Sequence, residues 1–159
     1  MLKQFVKVTA FAGLLFSMSF SQAADPDYFS PEWMNDFKDA WNKNSEITET
    51  LGKIDFNSTI AYGFKDDDKP LGVIVVKDGI VTTAGAYNDE ELNWDLRAPK
   101  ETWKEWLEAE NGPTKTQLFR PAWLGGKLKF QKGNYSAMLK NPSMMGPFVK
   151  SFTVMGQVK

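Results

Sequence analysis

The 159-residue chain contains no cysteine and no histidine. Without thiols there are no disulfides, no thiol nucleophiles, no thiolate metal sites and no lipid-modified cysteine behind a leader. Without imidazole there is no Ser-His-Asp triad and no histidine-ligated metal, so carboxylates, Lys, Tyr and Ser are left as candidate catalytic groups. Long apolar runs are also scarce. Val8 to Phe20 is apolar or small over 13 residues, short of the roughly 20 that a membrane-spanning helix needs. Lys3 and Lys7 precede this run, Ser21-Gln22-Ala23 puts small residues at the two positions a signal peptidase reads, and Asp25-Pro26 follows. The pattern predicts a signal peptide over 1–23, cleaved after Ala23, and a periplasmic protein of the bacterial envelope. Its removal leaves 136 residues with 17 cations against 20 acids, a net charge of −3. A mildly acidic chain without a basic block argues against a nucleic-acid partner.

What the chain has in quantity is aromatic side chains, 14% of residues, including six Trp and twelve Phe. Ser30-Pro31-Glu32 starts a helix with a capping hydroxyl, Pro at the first helical position and an acid in the first turn. Trp33, Phe37 and Trp41 then recur every four residues beside Met34, one apolar stripe that Asn42-Lys43-Asn44 closes. Residues 45–53 read as a second short helix or a connector. Ile54 to Phe64 alternates as a half-buried strand, and Leu71 to Lys77 is a continuous apolar strand. Asp78-Gly79 is a hairpin signal before the strand Ile80 to Ala84. Leu92, Trp94 and Leu96 alternate with polar residues as a fourth strand. Pro99-Lys100-Glu101 opens a helix that ends at Asn111-Gly112-Pro113. Thr114 to Trp123 predicts a further helix interrupted by Pro121. Lys127 to Gln131 is a fifth strand, turned by Gly133-Asn134 into a helix whose Met138 and Leu139 face the interior. Residues 143–150 form a Met-rich segment broken at Gly146-Pro147, and Phe152, Val154 and Val158 suggest a last strand. Strands followed by helices give an α+β domain on a mainly antiparallel sheet.

The hairpin at Lys77-Asp78-Gly79, the strand Leu92 to Leu96, the helix Glu101 to Glu110 and the run Gly126-Lys127-Leu128-Lys129-Phe130-Gln131-Lys132-Gly133-Asn134 occur in an informative order. Over roughly residues 50–150 the chain resembles the sterol carrier protein 2 family. The resemblance implies a five-stranded, mainly antiparallel sheet covered by helices around an apolar cavity that holds sterols, fatty acids or acyl-CoA. It divides the chain into a signal peptide (1–23), an N-terminal helical extension (24–50) and a lipid-binding domain (51–159). Family members are mostly intracellular, and many carry a peroxisomal C-terminal address. This chain has a signal-like start and ends Gly156-Gln157-Val158-Lys159. An envelope location argues against acyl-CoA.

Trp103, Trp106, Leu107, Leu118, Phe119, Trp123, Phe130, Met138, Met144, Met145 and Phe148 are the candidate ligand-binding set. Such pockets are mostly apolar, with few polar groups, and Met adapts to irregular ligands. The same residues also fit an ordinary core, but as a group they exceed what a domain of this size needs. Met144, Met145 and Phe148 are expected to close the mouth on a segment made movable by Gly146-Pro147. Arg97, Tyr62 or Arg120 is expected to orient a polar head. Asp66-Asp67-Asp68 lacks the remaining ligands of a calcium loop and reads as a solvated turn. Asp89-Glu90-Glu91 reads as a solvated loop, because adjacent acids rarely converge for acid–base work. Lys127, Lys129 and Lys132 are either the polar face of a half-exposed strand or a surface for anionic head groups. No metal, cofactor or catalytic set emerges. The expected function is non-catalytic carriage of a hydrophobic small molecule, with a transient membrane or enzyme partner left open. The alternative is an accessory subunit that docks an enzyme through the Trp33/Phe37/Trp41 helix.

Overall fold

The computed structural model describes residues 27–158. The expected signal segment therefore lies outside the described residues. The elements run in the order α1 (Pro31–Lys43), α2 (Ser45–Gly52), β1 (Ser58–Phe64), β2 (Gly72–Lys77), β3 (Ile80–Ala86), β4 (Trp94–Ala98), α3 (Lys100–Glu108), α4 (Lys115–Leu118), a 3-10 turn (Ala122–Leu124), β5 (Lys129–Lys132), α5 (Tyr135–Lys140) and α6 (Pro142–Met155).

The five strands form one sheet in the order β3-β2-β1-β4-β5. β1 pairs with β4 in parallel and every other neighbour is antiparallel. The β2–β3 turn uses Asp78 at φ 49° and Gly79 at φ 80°, the pair of positive angles that a two-residue hairpin matched to strand twist requires. Helices cover one face of the sheet, with α6 at the centre of the helical layer, packed on α1, α2, α3 and α5.

The first helix is an integral part of this layer. The Ser30 hydroxyl accepts from the Trp33 amide, and Asn44 closes α1 while its side chain accepts from the Ile47 amide to open α2. Trp33, Met34, Phe37 and Trp41 are all buried. Asn42 clamps the helix to β3: its amide donates to the Val81 carbonyl and its carbonyl accepts from the Val81 N–H, each at 2.9 Å. The Trp41 indole donates to the Gly79 carbonyl at 3.0 Å. The stripe expected to dock a partner is thus spent on the core, because its rings pack on one another, on Tyr28 and Phe29 and on Tyr62 of β1, and not on solvent. The boundary expected at residue 50 falls inside α2.

Several elements differ from their sequence expectation. The strand predicted from Ile54 begins only at Ser58, because α2 runs on to Gly52 and the Phe56 amide then bonds back to the Leu51 carbonyl. Of the helix predicted over 114–123 only one turn forms. Thr114 caps it in a reciprocal box with Gln117, and Pro121 ends it, since proline biases the residue before it away from helix. The fourth strand is shifted to Trp94–Ala98 and the fifth to Lys129–Lys132. Leu139 is 37% exposed and does not face the interior. The expected break at Gly146-Pro147 and the expected last strand are both absent: α6 runs unbroken through them. Met144, Phe148, Ser151, Phe152 and Met155 recur at i, i+4, i+7, i+8 and i+11, which is a helix period.

Candidate apolar binding site

The inner face of the sheet is built by pairing. In the parallel β1–β4 ladder, Ile60 is opposite Trp94 and Tyr62 opposite Leu96, and side chains two apart on a strand share a face. These four side chains, with Phe56, form the floor of an apolar cavity. Trp41 of α1 and Leu51 of α2 close one side. Met138 of α5 and Met144, Phe148 and Ser151 of α6 form the roof. The space open to the centre of a water-sized sphere is about 30 Å³, against roughly 300–1,000 Å³ for a ligand pocket. The cavity is therefore nearly closed in this conformation.

Its polar groups are few. The Ser151 hydroxyl donates to the Phe148 carbonyl at 2.7 Å, and the Trp41 indole is committed to Gly79. The Tyr62 hydroxyl makes no hydrogen bond to another described residue. Burial pushes this phenol far above its ordinary value of 10.0, because the apolar surroundings penalise the phenolate. Tyr62 thus remains a neutral donor and acceptor on an otherwise greasy wall. No Lys, Arg, Asp or Glu lines the cavity. No three acidic side chains among the described residues are grouped to hold a metal.

The candidate residues divide into five groups. Met138, Met144 and Phe148 line the cavity. Trp103, Trp106, Leu107 and Leu118 are buried in the core behind it. Trp103 stacks on Phe152 at 5.7 Å and donates its indole N–H to the Gly63 carbonyl, and Trp106 meets Phe152 edge-on. Phe119 and Phe130 are half-buried, ring to ring with Phe148 at 5.5 and 5.8 Å, and Tyr135 joins them by donating to the Phe119 carbonyl. This aromatic cluster leads from the cavity wall to the surface. Met145 faces a separate surface depression with Val149 and Lys150. Trp123 is 80% exposed and lines none of this.

Of the three side chains expected to orient a head group, only Tyr62 reaches the cavity. Arg97 is buried on the opposite sheet face, where its Nε and Nη2 donate to Asp95 and its Nη1 to the carbonyls of Phe64 and Asp67. Arg120 is at the surface beside Glu105 and Gln117. The sequence reading missed most of the floor, including Ile60, Trp94 and Leu96. Their alternation was visible and predicted strands, but alternation alone does not say whether the inward face meets a filled core or a cavity.

No family model matches the chain, and no curated protein matches its sequence. Solved structures do match. A crystal structure of sterol carrier protein 2 superposes with a TM-score of 0.64 at 17% identity, covering 84% of this chain and 100% of that one. The fold is that of sterol carrier protein 2. A conserved hypothetical protein of Thermus thermophilus, solved in solution, superposes with a TM-score of 0.55 at 19% identity, covering 80% of this chain and 88% of its own. A ubiquinone synthesis protein, UbiJ-SCP2, reaches a TM-score of 0.46 at 13% identity, with 75% and 84% covered. At these identities the likeness extends to the sterol-carrier fold, in which the sheet faces a helical roof.

Proposed function

We propose that the protein binds one hydrophobic small molecule, such as a sterol or fatty acid, between the sheet and the α5–α6 roof, and carries it in the bacterial periplasm without covalent chemistry. The observation that carries this reading is the apolar cavity between Ile60, Tyr62, Trp94, Leu96, Met138, Met144 and Phe148. The sterol-carrier fold supports it. Burial of a few hundred Å² of lipid surface at about 25 cal/mol per Å² contributes several kcal/mol. A cavity of about 30 Å³ admits such a ligand only if α5 and α6 move outward, and apparent affinity falls with the fraction of molecules that are open. Met138 and Met144 suit a wall that reshapes, because an unbranched thioether repacks at little cost. The test is organic extraction of the protein purified from its native envelope, followed by mass spectrometry. A stoichiometric lipid supports the reading. An empty extract, together with no change in tryptophan fluorescence on adding sterols, fatty acids or quinones, refutes it.

The near-closure of the cavity favours a second reading, an accessory subunit of a periplasmic enzyme complex with a filled core. A tight complex in pull-down with no extractable lipid supports it. Its docking surface excludes Trp33, Phe37 and Trp41, which are buried.

A further inference from the structure

The small net charge conceals a segregation. All twenty acids lie before residue 111, where residues 24–110 carry only nine cations. Residues 111–159 carry eight Lys and Arg and no acid. Within this acid-free part, Lys115, Arg120, Lys127, Lys129, Lys132 and Lys140 are all exposed. Trp123 and Leu124, 80% and 55% exposed, project between Arg120 and Lys127.

The turn that presents them is tightly built. The Leu124 and Gly126 amides donate to the Pro121 carbonyl and the Gly125 amide to the Ala122 carbonyl, at 2.9, 3.0 and 3.0 Å. A Cβ at Gly126 would lie 1.9 Å from the Arg120 carbonyl oxygen, so only glycine closes the turn. Two consequences follow. The apolar pair is held outward and cannot fold back onto the core. The Leu124, Gly125 and Gly126 amides are already satisfied, so fewer donors are orphaned when the tip leaves water, which favours a lipid environment.

We infer that the Trp123-Leu124 turn is a docking wedge for an anionic lipid bilayer surface. Trp favours the boundary between head groups and acyl chains, where its ring is apolar and its N–H wet. Arg120 and Lys127, which flank the turn, complement anionic head groups. A convex prominence suits a soft bilayer, whereas a protein partner would need a matching pocket. Glu105 of α3 shares a depression with Arg120 and Lys127 beside the turn, while Lys129 sits beside Asp67, Asp68, Asp89 and Asp95, and Lys115 beside Glu46. At the turn itself Arg120 and Lys127 outnumber Glu105. The inference does not depend on the cavity, since a protein with a filled core would dock in the same way.

The test is sedimentation of the purified protein with vesicles of phosphatidylcholine, with and without phosphatidylglycerol. The protein is expected to sediment with the anionic vesicles, to release as salt rises, and to stay in solution with phosphatidylcholine alone. Trp123→Ser/Leu124→Ser is expected to weaken partitioning by roughly tenfold or more, with an unchanged melting temperature. Arg120→Ser/Lys127→Ser is expected to reduce it on anionic vesicles only. Any contribution from residues 1–23 is common to all these proteins. The inference is overturned if anionic vesicles leave the protein in solution, if the Trp123/Leu124 variant binds like the parent, or if the turn is protected only by an acidic protein partner.

Discussion

Tyr62→Phe separates two effects that most substitutions confound. The ring is held by Phe29 at 5.8 Å, Phe37 at 5.9 Å and Trp103 at 6.4 Å, and Phe preserves all three contacts. What is lost is one hydroxyl, on a buried side chain, that makes no hydrogen bond to another described residue. Leaving such a group unpaired costs about 1–3 kcal/mol. The substitution is therefore expected to stabilise the empty protein by about 1 kcal/mol, or about 3 °C in melting temperature. In the liganded protein the sign reverses: a ligand whose hydroxyl or carbonyl meets Tyr62 loses about 1 kcal/mol, a weakening of roughly fivefold to tenfold. Urea unfolding followed by tryptophan fluorescence measures the first effect. Titration with a long-chain alcohol and with the alkane of equal length measures the second, and only the alcohol is expected to weaken. If the variant is destabilised by more than about 1 kcal/mol, the hydroxyl has a partner in the folded protein and the argument fails. Equal weakening of alcohol and alkane would show that the hydroxyl does not touch the ligand.

The same residue sets an alkaline limit. Its phenol is raised above 10.0 by burial, so the unfolded chain ionises first and stability should fall as pH rises past about 10, a slope that Tyr62→Phe should reduce in urea unfolding. Met138→Ala, which removes three heavy atoms from the roof, should cost about 3 kcal/mol in the same assay, and saturating hydrophobic ligand should restore much of that. Asn42→Ala leaves both Val81 backbone groups without their side-chain partner and should cost about 2 kcal/mol. Asp95→Asn strands the buried Arg97 guanidinium and should cost about 3–5 kcal/mol by urea unfolding, while lipid affinity stays unchanged because the pair lies on the opposite sheet face.

The sheet was largely legible because its signals are local. Asp78-Gly79 specifies its own turn, and the alternation from Phe56 to Phe64 specifies its own inward face. The parallel pairing of β1 with β4 was not legible, since a ladder between strands distant in the chain leaves no mark in either one. α6 was misread for a definite reason. Proline at its sixth position removes one N–H and usually ends a helix, yet Met144 before it and Phe148, Phe152 and Met155 after it hold α6 on the core. Phe152 and Val154 looked like strand alternation, but two positions cannot separate the periods when a helix is buried on a broad face. Trp123 was placed in the wall because composition carries no direction. The signal that places it outside was present in Pro121 and Gly125-Gly126, which mark a turn.

The misread proline also bears on how a closed cavity admits a ligand. Pro147 has no N–H to give the Ser143 carbonyl, so the first turn of α6 is tied to the rest by one bond fewer than a regular helix provides. Met144 lies before that weak point and Phe148 just after it, and both line the cavity. Phe148 also belongs to the half-buried cluster with Phe119 and Phe130. The floor has no comparable weakness: β1 is central in the sheet, with a ladder on each side. Opening therefore costs least in the roof, between α5 and the start of α6. Those elements belong to the acid-free part of the chain that also carries the Trp123-Leu124 turn. A carrier needs its movable wall on the side that meets the membrane, whereas a filled-core accessory subunit has no such need. The weak helix turn and the cavity roof thus fall in the same acid-free stretch of sequence as the Trp123-Leu124 turn, an arrangement that the proposed carrier would use and a filled-core subunit would not.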